Sequence, residues 1–369
     1  MLNFDFKKYD LKLFFLICVA AVFGVLMVFS SSGVKSYSPL IKQSISASIG
    51  FAAMFVTAFL IDYKFYQRHA KKIWLFALIL VILVLIIGYK SHGAKRWISL
   101  GFFSFQPSEI AKFAMVVMIA DFIARKKHIL SVPESIIPPL ILLLPIAAFI
   151  AAGPDLGTPI LIVAVWFVML FYAGANIKPL IAMGGAGLGF VIFAIILRPY
   201  RLTRLKVWMA SVFDIDAVLN SNAPEFYNLK QALYAIGNGG FFGKGLGKSD
   251  IKLNYLPEAH TDFIFPVICE ELGFIGGCAV LLFFIYIFFK GMKISKNAQD
   301  DFAQYLAFGI TATIVFQALI NMSMAIGIMP TKGMPLPFIS LGGTSLIITM
   351  AACGVLINIS KRQISNDRS

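Results

Sequence analysis

The chain has 369 residues, of which 59% are hydrophobic and only 14% charged. Soluble domains hold about 45–50% apolar and about 25% charged residues, so a soluble enzyme carried on one anchor is excluded, and the 36 phenylalanines exclude a disordered chain. A net charge of +14 would suggest nucleic acid in a soluble protein; here Lys and Arg at helix ends, drawn to an anionic inner leaflet, account for most of it, the remainder is open to an anionic substrate, and no nucleic-acid partner is expected.

Lys7 and Lys8 precede an apolar run from Leu13 to Phe29 with no clear cleavage motif after it, which reads as the first spanning helix. The apolar runs fall at approximately 12–31, 45–63, 73–90, 107–124, 135–152, 158–174, 177–198, 262–289, 303–326 and 344–360. Each is close to the ~20 residues that cross a bilayer as a helix, and continuous runs argue against a β-barrel, which would alternate. The expected fold is an all-α polytopic membrane protein of about ten transmembrane helices, one integral membrane domain over 1–369. Basic clusters at Lys64, Arg68, Lys71 and Lys72, at Arg125 to Lys127, at Lys290, Lys293 and Lys296, and at Lys361 and Arg362 all become cytoplasmic if both termini are cytoplasmic. The outer loops then include 91–106, 153–157, a long extracytoplasmic stretch 199–261 between helices 7 and 8, and 327–343. Cys18, Cys269, Cys278 and Cys353 lie in apolar segments without a CxxC, so neither a zinc site nor a disulfide framework is expected.

Polar residues at membrane depth are costly and point to function, and here they collect in four outer segments. In the first, Lys95 and Arg96 precede Gln106-Pro107-Ser108-Glu109. Pro107 suits a first helical turn, and Glu109 and Lys112 are spaced to pair on one helix face. They either lock helices together or, with Lys95 and Arg96, present cations to a phosphate-bearing ligand. In the second, Thr158 reads as an N-cap before Pro159, with Asp155 tying down the turn; the helix that follows is short.

The third segment opens with a glycine run, Gly237 to Lys248, suited either to an anion nest or to a plain loop. It continues through Glu258, His260, Thr261 and Asp262 to Glu270 and Glu271. Thr261 reads as the N-cap of the eighth span, which places Asp262 in the first turn, where the helix dipole favours an ionised carboxylate. Such a group accepts a proton or holds a divalent cation. Pro266 cannot donate to the Asp262 carbonyl, which leaves that oxygen open. Glu270 and Glu271 lie deeper and read as partners for polar groups of neighbouring helices. The fourth segment, Met329 to Ser345, contains Lys332 and Ser340 among three prolines and three glycines that forbid a regular helix. Broken backbone at this depth is tolerated inside protein or along a wet cavity.

The stretches GAKRWISLGFFSFQPSEIAK, PDLGT, YLPEAHTDFIFPVICEELGFIG and MPTKGMPLPFISLGGTS, in this order and spacing, resemble the SEDS family of bacterial shape, elongation, division and sporulation proteins (FtsW/RodA type). The resemblance covers nearly the whole chain. It implies a peptidoglycan glycosyltransferase that polymerises lipid II into glycan strands outside the plasma membrane, beside a class B penicillin-binding protein and other divisome membrane proteins. The family's essential aspartate falls on Asp262 and its division-type lysine on Lys332. The PTKG and GLGKS stretches look closer to the division type, active at the septum, than to the elongation type. Asp262 is then the base, or the ligand of a divalent cation (Mg2+ or Mn2+), while Lys95, Arg96 and Lys332 face pyrophosphate. Glu109, Lys112, Glu258, His260 and Ser340 complete the substrate-binding candidates. An elongation-type polymerase in cell-shape maintenance, a division-like sporulation polymerase, a lipid II flippase and a division scaffold without chemistry are the alternatives; clustering of the polar residues on one side favours an outer-face enzyme over a flippase.

Overall fold

A computed structural model describes residues 9–32, 37–91, 94–99, 104–153, 155–196, 199–249, 259–330 and 333–361. The first half runs through α1 (Leu11–Ser32), α2 (Ser38–Phe55) with a π-helical extension Val56–Leu60, α3 (Tyr63–Arg68), α4 (Ala70–Ile87), α5 (Pro107–Lys126), α6 (Ile137–Ala152), α7 (Gly157–Tyr172) and α8 (Ile177–Ile196). After it come α9 (Pro199–Phe213), α10 (Ile215–Asn220), α11 (Tyr227–Gly239), α12 (Ile264–Lys296), α13 (Asp301–Ala325) and α14 (Gly343–Ser360). Among the described residues, helices α1, α2, α4 to α8 and α12 to α14 coincide with the apolar runs of the sequence.

Seven of these, α1, α2, α4, α6, α12, α13 and α14, with the short 3-10 turn before α6 included, are long and apolar enough to cross a membrane. Helix α5 is as long but carries Glu109, Lys112, Asp121, Arg125 and Lys126. Helix α7 has 16 residues, which at the helical rise is about 24 Å. The chain is an all-α polytopic membrane protein. Its polarity is inside out: α1 and α4 expose Phe15, Val19, Leu26, Leu75 and Ile86, whereas α5, α13 and α14 are buried on most sides and hold Glu109, Lys112, Gln317 and Asn321. At the basic end, Lys127 meets Asp301 at 2.6 Å and Lys290 meets Asp10 at 2.6 Å. The Asp301 hydrogen bond holds the Lys127 ammonium above its usual range.

Two stretches expected as loops carry regular structure. An antiparallel sheet is formed by β1 (Tyr89–Ser91), β2 (Ala94–Ser99) and β3 (Ser104–Phe105), with Tyr89 opposite Trp97 and Ile98 opposite Phe105. Backbone close to a membrane must pair its polar groups, and a hairpin does so locally. The 199–261 stretch holds α9, α10 and α11, joined by a small core of Val207, Val218 and Leu229. Helix α9 is pinned to the end of α13: Trp208 Nε1 donates to the Ile328 carbonyl at 2.7 Å, and Ser211 Oγ to the Gly327 carbonyl at 2.8 Å.

Helix α12 is broken at Gly273, whose φ of 70 lies in the left-handed region. A break orphans carbonyls before it and amides after it. The glycine run answers both: Lys244 N donates to the Glu270 carbonyl at 3.0 Å and Gly245 N to the Glu271 carbonyl at 2.9 Å, while Phe274 N donates to the Gly240 carbonyl at 2.9 Å. A side chain at Gly243 would collide with the Glu271 carbonyl. The run is therefore a splice over a helix break. Neither an anion nest nor a loose loop describes it, because the Lys244 and Gly245 amides are spent on α12. Glu270 takes Lys244 Nζ at 3.1 Å and Ser249 Oγ, and Glu271 takes Ser30 Oγ at 2.7 and 2.6 Å. Glu271 thus serves a neighbouring helix as expected, whereas Glu270 serves the glycine run and the residue that follows it instead of a helix.

Candidate active site

The four outer segments meet at the end of the bundle opposite the basic loops. Two amides one turn apart on α13 organise them. Gln317 Oε1 accepts from Lys112 Nζ at 2.6 Å and its Nε2 donates to the Pro335 carbonyl at 2.9 Å. Asn321 Nδ2 donates to the Met334 carbonyl at 2.7 Å and to the Asp262 carbonyl at 2.9 Å. The oxygen that Pro266 leaves open on Asp262 is thus claimed by α13. Both amides are almost fully buried, at 2% and 0% exposure, so each hydrogen bond is made where water cannot replace it.

The non-helical segment between α13 and α14 is tied at further points. Ser340 Oγ donates to the Thr261 carbonyl at 2.5 Å and accepts from Leu336 N at 2.8 Å. Leu341 N donates to the His260 carbonyl at 2.9 Å, and Gln43 Nε2 of α2 to the Ser340 carbonyl at 3.2 Å. At the head of α14, Thr344 Oγ1 accepts from Gln106 N at 3.1 Å and donates to the Ser104 carbonyl at 3.2 Å. Met334 packs on Gly157 at the start of α7, and Gly153 lies against the Lys95 carbonyl. Proline and glycine forbid a helix here, and buried side chains from α2 and α13 satisfy the backbone instead.

Asp262 is half-buried in the turn 259–263, with Gly333 directly beside its carboxylate. Helix α12 begins at Ile264, with Phe263 in the capping position, so Asp262 precedes the helix and Thr261 does not cap it. The expectation at α7 is corrected in the same way. Leu156 takes the capping position, and Asp155 just before it ties down the turn as expected: its Oδ1 accepts from Gly157 N at 2.9 Å and Thr158 N at 3.3 Å, and its Oδ2 from Thr158 Oγ1 at 2.9 Å. One oxygen of Asp155 thus satisfies two orphan amides of the first turn, while the Thr158 hydroxyl is spent as a donor to the other oxygen.

The other candidates divide by position. Glu109 and Lys112 pair at 2.8 Å in the first turns of α5, 3% and 6% exposed, on the wall of a narrow cleft between α5, α13 and α14. Lys95 directs its ammonium to the Leu85 and Ile86 carbonyls, both at 3.3 Å, at the C-terminus of α4, where a helix end favours a cation. Arg96 is half-buried next to it, and His260 is half-buried in the Asp262 turn. Ser340 is buried and engaged within the protein. Glu258 and Lys332 lie outside the described residues. Gln43, Gln317 and Asn321 went unassigned in the sequence, although for Gln317 and Asn321 an amide inside an apolar run is itself a signal.

Among the described residues, no three His, Cys, Asp or Glu side chains gather into a metal-binding set. The side chains described do not make a protein-only cation cage around Asp262; a Mg2+ ion there needs substrate oxygens to complete its shell.

A family model described as cell cycle protein, of the FtsW, RodA and SpoVE type, matches residues 11–365. The chain belongs to this family. It is the SEDS family of the sequence reading. The probable peptidoglycan glycosyltransferase FtsW of Trichlorobacter lovleyi is 38% identical over 367 residues, covering 97% of this chain and 94% of that protein. Stage V sporulation protein E of Bacillus subtilis is 37% identical over 362 residues, covering 95% and 97%. Among solved SEDS-like structures, the rod shape determining protein RodA of Thermus thermophilus superposes with a TM-score of 0.72 at 25% identity, over 96% of this chain and 97% of that one. A chain from a peptidoglycan synthase complex that coordinates polymerization and crosslinking gives a TM-score of 0.80 at 25% identity, over 96% and 98%.

Proposed function

We propose that this SEDS protein is a peptidoglycan glycosyltransferase that polymerises lipid II into glycan strands on the outer face of the plasma membrane, at the division septum. The observation that carries the reading is the seating of Asp262: one half-buried carboxylate in a turn held by Asn321 of α13 and by Ser340 and Leu341 of the segment before α14, at the end of the bundle opposite the basic loops. The FtsW-named relatives, similar over nearly their whole length, support the reaction class.

A sugar hydroxyl of the acceptor attacks the anomeric carbon of the donor. The new glycosidic bond forms as the bond to pyrophosphate breaks, and the electron pair leaves with the pyrophosphate. Asp262 takes the hydroxyl proton. Lys95, Arg96 and Lys332 supply positive charge to the leaving group, since electrostatic stabilisation is usually the largest catalytic contribution. A divalent cation bound by Asp262 and substrate oxygens would add to that charge. Glu109, Lys112, His260, Glu258 and Ser340 shape the substrate site around it. A class B penicillin-binding protein is the proposed partner, consistent with the synthase complex of the structural neighbour, together with other divisome membrane proteins.

The test is polymerisation of purified lipid II by the purified full chain with its co-expressed penicillin-binding protein. Glycan strands of many disaccharides are expected. Translocation of fluorescent lipid II across liposomes without any polymer would replace the enzyme by a flippase.

A further inference from the structure

Gly333 stands against the Asp262 carboxylate so closely that a Cβ built on it would lie 2.6 Å from Asp262 Oδ2. Ordinary contact begins at 3.4 Å, and the carboxylate carbon and Oδ1 already lie at 3.5 and 3.8 Å, so any side chain at 333 must swing Oδ2, one of the two oxygens that can take a proton, by about 0.8 Å. The carboxylate cannot retreat with its backbone, because the Asp262 carbonyl is held by Asn321 Nδ2 at 2.9 Å. The same nitrogen holds the Met334 carbonyl at 2.7 Å, one residue after Gly333. One buried amide of α13 therefore fixes both walls of the gap, and the missing side chain of Gly333 leaves the gap open. Asn321 is 0% exposed, so its position is set by the helix and not by solvent.

We propose that Gly333 and Asn321 are positioning residues that set where the Asp262 carboxylate sits: Gly333 by leaving room for it, Asn321 by clamping the two segments on either side. This rests on the polymerase reading and names what tunes its reactive group. A reacting group misplaced by about 1 Å costs on the order of 100-fold in rate, so a displacement just under that costs at least about tenfold, with substrate affinity retained.

The experiment measures kcat and KM for purified lipid II, with the full chain and its co-expressed penicillin-binding protein, for Gly333→Ala, Asn321→Ala and Gly342→Ala. Gly342 lies in the same segment, with φ of −167, and a Cβ there meets its nearest atoms at 3.5 Å. Gly342→Ala is expected to match wild type. Gly333→Ala and Asn321→Ala are expected to lower kcat at least about tenfold with KM within about twofold and thermal unfolding close to wild type for Gly333→Ala. The proposal is overturned if Gly333→Ala matches Gly342→Ala, if KM rises while kcat holds, or if the loss of rate equals the loss of folded protein. Should Gly333→Ala fail to fold, Asn321→Ala decides alone, and an unchanged kcat in it overturns the proposal. Absence of polymer from the wild-type chain would instead strike the enzyme reading itself.

Discussion

Replacing Lys112 by Met keeps an apolar stem of similar length and removes the ammonium. Lys112 lies 6% exposed between Glu109 Oε2 at 2.8 Å and Gln317 Oε1 at 2.6 Å. The ion pair is the one contact of Glu109 Oε2 among the described residues. Lys112→Met therefore strands a carboxylate that is 3% exposed. Removing one partner of a buried pair costs about 3–5 kcal/mol, whereas replacing both with neutral groups of similar volume is often close to neutral. Equilibrium unfolding of the purified protein in detergent micelles is expected to show that loss in Lys112→Met. Glu109→Gln combined with Lys112→Met should recover most of it, giving a coupling of at least about 2 kcal/mol. Additivity of the two changes within about 0.5 kcal/mol would refute the reasoning. The pair would then be a bystander to the link from α5 through Gln317 to the Pro335 carbonyl.

Gly273→Ala should destabilise the outer half of α12. The left-handed backbone costs about 1–2 kcal/mol for a residue with a Cβ, and that Cβ would strike the Phe241 carbonyl of the splice. Limited proteolysis at residues 239–247 reads the loosening, and an unchanged cleavage pattern would contradict the splice. Asp155→Ala should cost about 0.5–2 kcal/mol through the lost bonds to the first-turn amides of α7, whereas Thr158→Val removes only the hydroxyl contact to Oδ2 and should cost less; thermal unfolding of both variants tests which side chain holds the start of the helix.

The spans were legible because a membrane helix must be apolar for its full length, and each run in the sequence carries that signature by itself. Glu109 and Lys112 were legible for a similarly local reason, since three residues on a helix bring two side chains together. The open carbonyl of Asp262 followed from Pro266 alone. What stayed hidden depends on contacts between distant segments. Helix α11 buries Leu229, Ala232 and Ala235, a helical spacing that a polar and glycine-rich surrounding obscured. The splice of residues 240–245 over the break at Gly273 exists only when both segments are in place. Asn321 and Gln317 stand in an apolar run, and no local pattern says which carbonyls they reach. Asp155 was legible as the residue that ties down the turn before α7, whereas the shift of the helix start to Gly157, ahead of Thr158, shows only in the folded chain.

The most direct measurement is the rate of glycan formation from lipid II by Asp262→Asn, a nearly isosteric change that removes the proton acceptor and leaves the Asn321 clamp on its carbonyl intact. The account predicts a fall of about 100-fold or more, the range expected for loss of a general base, in a protein that still folds and still binds its penicillin-binding protein. Wild-type polymerisation by Asp262→Asn would contradict it.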